Sequence, residues 1–186
     1  MIGPEFPAVL QAASRGDEEA FGRLWHDLQP RVLRYFMVAA PAAAEDLASE
    51  TWLGVVRGLD RFRGNEPSFR AWVFTIARHE LLDWRRRETR RGIEDLAPNG
   101  VAEQLAPDDP EASALEHLST RAALAQVAAL PPDQAEAIVL RVVAGLGVDR
   151  VAAIMGKRPG TVRVLTHRGL RRLAERLGSH QIRRVV

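Results

Sequence analysis

The stretch Leu130–Leu177, LPPDQAEAIVLRVVAGLGVDRVAAIMGKRPGTVRVLTHRGLRRLAERL, decides how the rest of the chain is read. Pro132 and Asp133 open a helix whose Ile138, Val139, Val142 and Val143 form an apolar stripe, and Gly145 and Gly147 close it. A short helix is expected from about Val148 to Met155. Gly156-Lys157-Arg158 then makes a tight turn, and Pro159 falls where the first turn of a new helix has no internal partner for an N–H. In that last helix Val162, Leu165, Gly169, Leu170, Leu173 and Leu177 share one side and form a packing seam. Arg163, His167 and Arg171 fall opposite, with Arg168, Arg172 and Arg176 on the adjoining strip. Three helices, a tight turn and a one-sided basic face together describe a helix-turn-helix that reads DNA. Its N-terminal part, with Arg163 and His167, is placed to meet base edges in the major groove, and Arg171, Arg172 and Arg176 suit phosphates.

Outward from this stretch, charge is sorted along the chain. The formal net charge is only +2 over 186 residues. Yet Glu175 is the sole acidic residue after Lys157, whereas Gly92–Ala112 holds Glu94, Asp95, Glu103, Asp108, Asp109 and Glu111 with no Lys or Arg. That acidic segment also contains Pro98, Pro107 and Pro110, the profile of an extended tether. It divides the chain into a helical domain over 1–91, the tether over 92–112 and a helical domain over 113–186. The fold class expected is therefore all-α, two small helical domains joined by an acidic flexible linker, the second carrying the helix-turn-helix. The absence of cysteine removes disulfides and thiolate metal sites. No apolar run is long enough to cross a bilayer and no signal peptide is evident, so a soluble, cytoplasmic protein is expected.

In the first domain, Met1–Gly16 is weakly apolar and its first residues, with Gly3, Pro4 and Pro7, read as frayed or vector-derived, with no function following from them. Asp17 is an N-cap for a helix with Ala20, Phe21, Leu24, Trp25 and Leu28 on one face, which Pro30 kinks or restarts. The helix introduced by Pro41 buries Ala48, Trp52, Val55 and Leu59 and displays Asp46, Glu50, Leu53 and Arg57, a mixed strip suited to an interface. After the break at Gly64, Asn65 and Pro67, Ser68 is read as the cap of a long helix. Phe69, Trp72, Val73, Ile76 and Trp84 lie on one face of it, with Arg70, Arg78, Arg85 and Arg86 away from that face. Aromatic rings beside arginines suit single-stranded nucleic acid. His79-Glu80-Leu81-Leu82-Asp83 approximates a zinc-protease signature, but Asp83 replaces the second histidine and no third ligand is placed. No catalytic residue, metal site or cofactor is expected, and the chain reads as a non-enzyme.

This arrangement resembles an extracytoplasmic-function (ECF) sigma factor of the sigma-70 superfamily, over nearly the whole chain. AEDLASETWLGVVRGLDRFRG resembles region 2.2, FRAWVFTIARHELLDWRRR resembles regions 2.3 and 2.4, and LPPDQAEAIVLRVVAGL with GTVRVLTHRGLRRL resembles region 4. The resemblance implies a dissociable subunit that binds core RNA polymerase, recognises promoter DNA, assists melting and initiates transcription, with an anti-sigma factor as a further partner. It implies core-polymerase contacts by Asp46, Leu47, Ser49, Glu50, Leu53 and Arg57. It implies contacts to the −10 element by Arg63, Gly64, Asn65, Ser68, Phe69, Arg78, His79, Arg85 and Arg86. For the −35 element it implies Lys157, Arg158, Thr161, Arg163, His167, Arg168, Arg171 and Arg172. The chain departs from the family pattern at Ser49, where glutamine is usual, at His79 and Glu80, where asparagine and an apolar residue are usual, and at Val164 and Leu165, where a Ser-Arg pair is typical. The competing expectation is a stand-alone regulator that binds operator DNA without polymerase.

Overall fold

The computed structural model describes residues 1–94 and 113–183, and all the regular structure among them is helical. Eight α-helices follow in order: α1 (Phe6–Ala13), α2 (Glu18–Ala39), α3 (Ala44–Gly58), α4 (Glu66–Glu94), α5 (Ser113–Ala128), α6 (Pro132–Ile138), α7 (Val148–Met155) and α8 (Pro159–Arg183). The expected tether lies outside the described residues, except that Gly92–Glu94 continue α4.

The first four helices wrap one core. Asp17 caps α2 as its spacing implies, its carboxylate accepting from the Ala20 N–H at 2.8 Å, and Glu18 and Glu19 favour the positive end of the helix. Pro30 does not restart α2. Leu24 and Leu28 before it and Val32, Tyr35 and Phe36 after it are all buried, so packing on both sides carries the helix through a proline that costs it one internal bond. Ala48, Trp52, Val55 and Leu59 are buried as expected.

The N-terminus corrects the expectation of a frayed segment. Phe6, Val9 and Ala13 of α1 are buried, and the Phe6 ring packs 5.6 Å from that of Phe69. Ahead of α1, the Ile2 and Gly3 N–H groups each donate to the Glu66 carboxylate at 3.0 Å. The cap of α4 is also corrected. It is Asn65, whose side-chain oxygen accepts from the Ser68 N–H at 3.0 Å and from the Ser68 hydroxyl at 2.7 Å. Asn65 precedes the helix whereas Ser68 already lies in its first turn, where a side chain cannot cap its own start.

The second group packs α6, α7 and α8 around Ile138, Leu140, Leu146, Val151, Met155 and Val162, with Leu124 and Leu130 reaching in from the α5 side. α7 has the expected bounds. Gly156 adopts φ 64°, the left-handed conformation that ends α7 and that a side chain would disfavour. Gly169 serves close approach, since a Cβ there would lie 2.6 Å from Ile138 Cδ1.

Two apolar residues of this group are not where helical spacing puts them. α6 runs into a π-helical turn over Val139–Val143, in which the Ala144 N–H donates to the Val139 carbonyl five residues back at 2.9 Å. The wider turn shifts the phase, and Val142 is 63% exposed instead of continuing the stripe. Leu170 lies on the flank of the α8 seam and is likewise exposed.

Candidate nucleic-acid interface

On α3, Asp46, Glu50, Leu53 and Arg57 are all exposed along one strip, as is Ser49. Leu47 is buried, so among the residues expected to contact polymerase it shapes the helix packing instead of presenting a surface. Its buried neighbour Thr51 donates its hydroxyl to the Leu47 carbonyl at 2.7 Å, which satisfies the hydroxyl inside the core. A groove of about 510 Å³ runs between this strip and α4, lined by Asp46, Glu50, Glu80, Trp84, Arg87 and Arg91 among others. The α3 wall carries the Asp46 and Glu50 carboxylates, and the α4 wall two guanidinium groups, an indole and the Glu80 carboxylate.

The loop before α4 stands on an aromatic cluster. Phe62 stacks on Trp72 at 5.0 Å and meets Phe69 edge-on at 5.3 Å. The Arg63 guanidinium donates to the Asp60 and Phe62 carbonyls at 2.7 Å each, while Arg63, Gly64 and Asn65 remain exposed. Phe69 is only 1% exposed, so it supports this loop from below and is closed to a base.

Along α4 the expected DNA-contacting residues separate into two strips. Ser68, His79 and Arg86 fall on nearly one line at about 100° per residue, whereas Arg78 and Arg85 fall roughly 80–100° away. The first strip looks outward: His79 and Arg86 are exposed, and Arg86 pairs with Asp83 at 2.8 Å. The second strip looks inward. Arg78 Nε donates to Glu136 at 2.9 Å and its Nη2 to the Met155 carbonyl at 3.3 Å, and Arg85 donates to the Ala39 carbonyl at 3.3 Å. The residues do not converge on one pocket: Ser68 and Arg85 are about 25 Å apart along the helix at about 1.5 Å per residue.

Glu136 lies on α6, so its bond to Arg78 ties the two helical groups together. Tyr35, fully buried on α2, donates its hydroxyl to the same carboxylate at 3.1 Å. Burial raises the Tyr35 pKa well above its ordinary value, and the negative Glu136 adds to the effect. Further along the seam Arg150 Nη2 donates to the Ser68 hydroxyl at 3.3 Å. Arg70 corrects the expectation that it points away from the packed face. It is 6% exposed, 3.7 Å from Glu66, and its Nε and one Nη nitrogen have no hydrogen-bond partner. Burial, and then the neighbouring Arg31, lower the Arg70 pKa. The contacts across the seam are not signalled locally, since the Glu136 pairs span 58 and 101 residues of sequence.

On α8, Thr161, Arg163, His167 and Arg168 are exposed, and Arg163, His167 and Arg168 form no ion pair. Arg158, in the turn, is exposed as well. The basic residues around them are engaged within the chain: Lys157 with Asp133 at 2.9 Å, Arg171 with Glu175 at 2.9 Å and Arg172 with Gln134 at 3.1 Å. Arg171 remains 74% exposed, and exposed pairs of this kind exchange readily for phosphate. Among the described residues, Arg163 and Arg168, with His167 between them, thus lie exposed in the N-terminal half of the helix. Among the described residues no three His, Asp or Glu side chains gather as a metal site, and no helix is long and apolar enough to cross a membrane.

Comparison with known proteins fits both halves. The Sigma-70 region 2 family model matches residues 24–91, and the Sigma-70 region 4 model matches residues 120–173. The ECF RNA polymerase sigma factor ShbA of Streptomyces griseus is 36% identical over 178 residues, covering 89% of this chain and 92% of ShbA. BldN of Streptomyces coelicolor, another ECF sigma factor, is 36% identical over 171 residues, covering 91% of this chain, which spans 64% of BldN's length. Among solved structures, the sigma factor RpoE of Bartonella quintana, in complex with the anti-sigma factor NepR, superposes with a TM-score of 0.66 at 25% identity, over 85% of this chain and 96% of that one. With matches to both regions in chain order and a relative covered almost end to end, this chain belongs to the ECF RNA polymerase sigma factors of the sigma-70 superfamily.

Proposed function

We propose that the chain works as three parts, a domain over 1–91 that binds core polymerase and the −10 element, a tether over 92–112, and a domain over 113–186 that binds the −35 element. As an ECF sigma factor it binds core RNA polymerase and directs it to promoters; the division of labour among its residues is inferred here. The α3 strip of Asp46, Ser49, Glu50, Leu53 and Arg57 is the polymerase-binding face. The loop Arg63–Asn65 with the outward His79 and Arg86, and with Ser68 once Arg150 leaves it, receives the unpaired −10 strand. Melting costs a few kcal/mol per extracted base, so a surface that binds only the open strand favours the open complex. Arg78 joins that surface once the two halves separate, and Arg85, bonded to the Ala39 carbonyl within the first half, flanks it. Lys157, Arg158, Thr161, Arg163, His167, Arg168, Arg171 and Arg172 hold the −35 duplex.

The observation that carries this reading is the set of unpaired, exposed Arg163, His167 and Arg168 just beyond the left-handed turn at Gly156. An anti-sigma factor is a fitting partner, since the RpoE neighbour was solved with one. The chain acts in the cytoplasm, where polymerase is, and carries no catalysis of its own. Transcription in vitro with core polymerase on a genomic fragment library tests the whole reading. Initiation from a defined set of start sites is expected; unspecific initiation, or a tight footprint on duplex DNA without polymerase, would overturn it.

A further inference from the structure

We infer that Val164 is a specificity-determining residue that packs against the 5-methyl group of a thymine in the upstream promoter element; this rests on α8 being the duplex-reading helix, as proposed above. Taking buried Val162 as the origin, Leu165, Thr166, Gly169 and Leu173 lie within about 60° of it around the axis, and Val164 lies about 200° away, at the middle of the opposite face. Val164 is 47% exposed. Its neighbours one turn away on that face are Gly160, Thr161, His167 and Arg168, all exposed and none a large apolar residue, so it joins no apolar patch that another part of the chain covers. A lone apolar side chain at the centre of a cationic face is poorly matched to water and to phosphate alike.

The chemistry narrows what it fits. Valine has neither donor nor acceptor, so it recognises no polar base edge. On the floor of the major groove the apolar feature is the thymine methyl. Val164 sits in the second turn of α8, the part that enters the groove, and of the two residues one turn earlier Gly160 presents no side chain and Thr161 only a short one. As a β-branched residue in a helix it is held near one rotamer, so little freedom is lost on contact. Arg163 and Arg168 flank it with the cations that bring the groove close.

The test uses the full chain with core polymerase on a promoter mapped by the library experiment. Each thymine of the upstream element, on either strand, is replaced singly by deoxyuridine, which pairs identically but lacks the methyl group. One such replacement should weaken promoter binding about fourfold, the scale of one buried methyl group. Val164→Ala should lose a similar factor on the unmodified promoter and become indifferent to the methyl, whereas Val164→Thr, which keeps a methyl, should stay sensitive. The inference falls if no thymine methyl matters, or if the sensitivity persists unchanged in Val164→Ala. Initiation at defined promoters without methyl sensitivity sinks Val164 alone; unspecific initiation by the wild-type protein sinks the proposed function and this inference with it.

Discussion

Arg163 and Arg172 divide the proposed work of α8 between two kinds of contact. Arg163 is unpaired near the start of α8, whereas Arg172 lies nine residues on and bonds Gln134 of α6. Arg163→Ala should therefore cost about 1–3 kcal/mol against one base pair of the upstream element and little against its mismatched variants. Arg172→Ala should weaken matched and mismatched promoters alike and flatten the salt dependence, read from competition binding by the holoenzyme across a salt series. Equal behaviour of the two variants would make α8 an unspecific basic surface. The same helix contains the position least tolerant of added volume. Gly169→Ala places a methyl against Ile138 at a distance no packed pair adopts, so the Ile138 side chain or one of the two helices must shift. A loss of about 1–3 kcal/mol in denaturant unfolding is expected.

At the scale of elements, most helices were legible because each rests on signals within a few residues. Asp17 capping α2, the bounds of α7 and the proline-opened α8 all follow from caps, turns and a 3.6-residue period. The readings that failed depend on distant partners or on local irregularity. α1 is short and its composition undistinguished; it holds because Phe6 finds Phe69 more than sixty residues away. The π-helical turn at Val139–Val143 breaks the period that a stripe is counted on. Arg70 is drawn inward by Glu66, a pairing at helical spacing that a face-by-face count treats as surface. Two consequences can be measured by thermal or denaturant unfolding. Phe6→Ala should cost about 3–5 kcal/mol, as for a buried aromatic, which a frayed terminus would not. Asn65→Ala should cost about 1 kcal/mol through the lost cap of α4, while Ser68→Ala should cost less.

Across the whole molecule, one carboxylate accepts two of the bonds that join the two helical halves, beside the Arg78–Met155 and Arg150–Ser68 bonds. Glu136 accepts from both Arg78 and Tyr35, and the pairing takes one of the proposed −10 contacts out of reach. The chain's only tyrosine is therefore an optical reporter of whether the halves are joined. Its hydroxyl is buried and faces Glu136, both of which raise its pKa, while the nearby Arg78 and Arg85 pull it down by less. With the folded value above the ordinary 10.0, the stabilisation tied to the protonated hydroxyl is fully present below about pH 10 and is lost as pH climbs through the raised value. Absorbance at about 295 nm, which follows phenolate formation, should accordingly rise only well above the ordinary tyrosine range. Glu136→Gln keeps the shape but removes the charge, so the midpoint should fall and the scattering-derived radius of the free protein should grow. A tyrosine that titrates at its ordinary value in the wild-type chain would mean that the halves are already apart, leaving Arg78 available without any opening step.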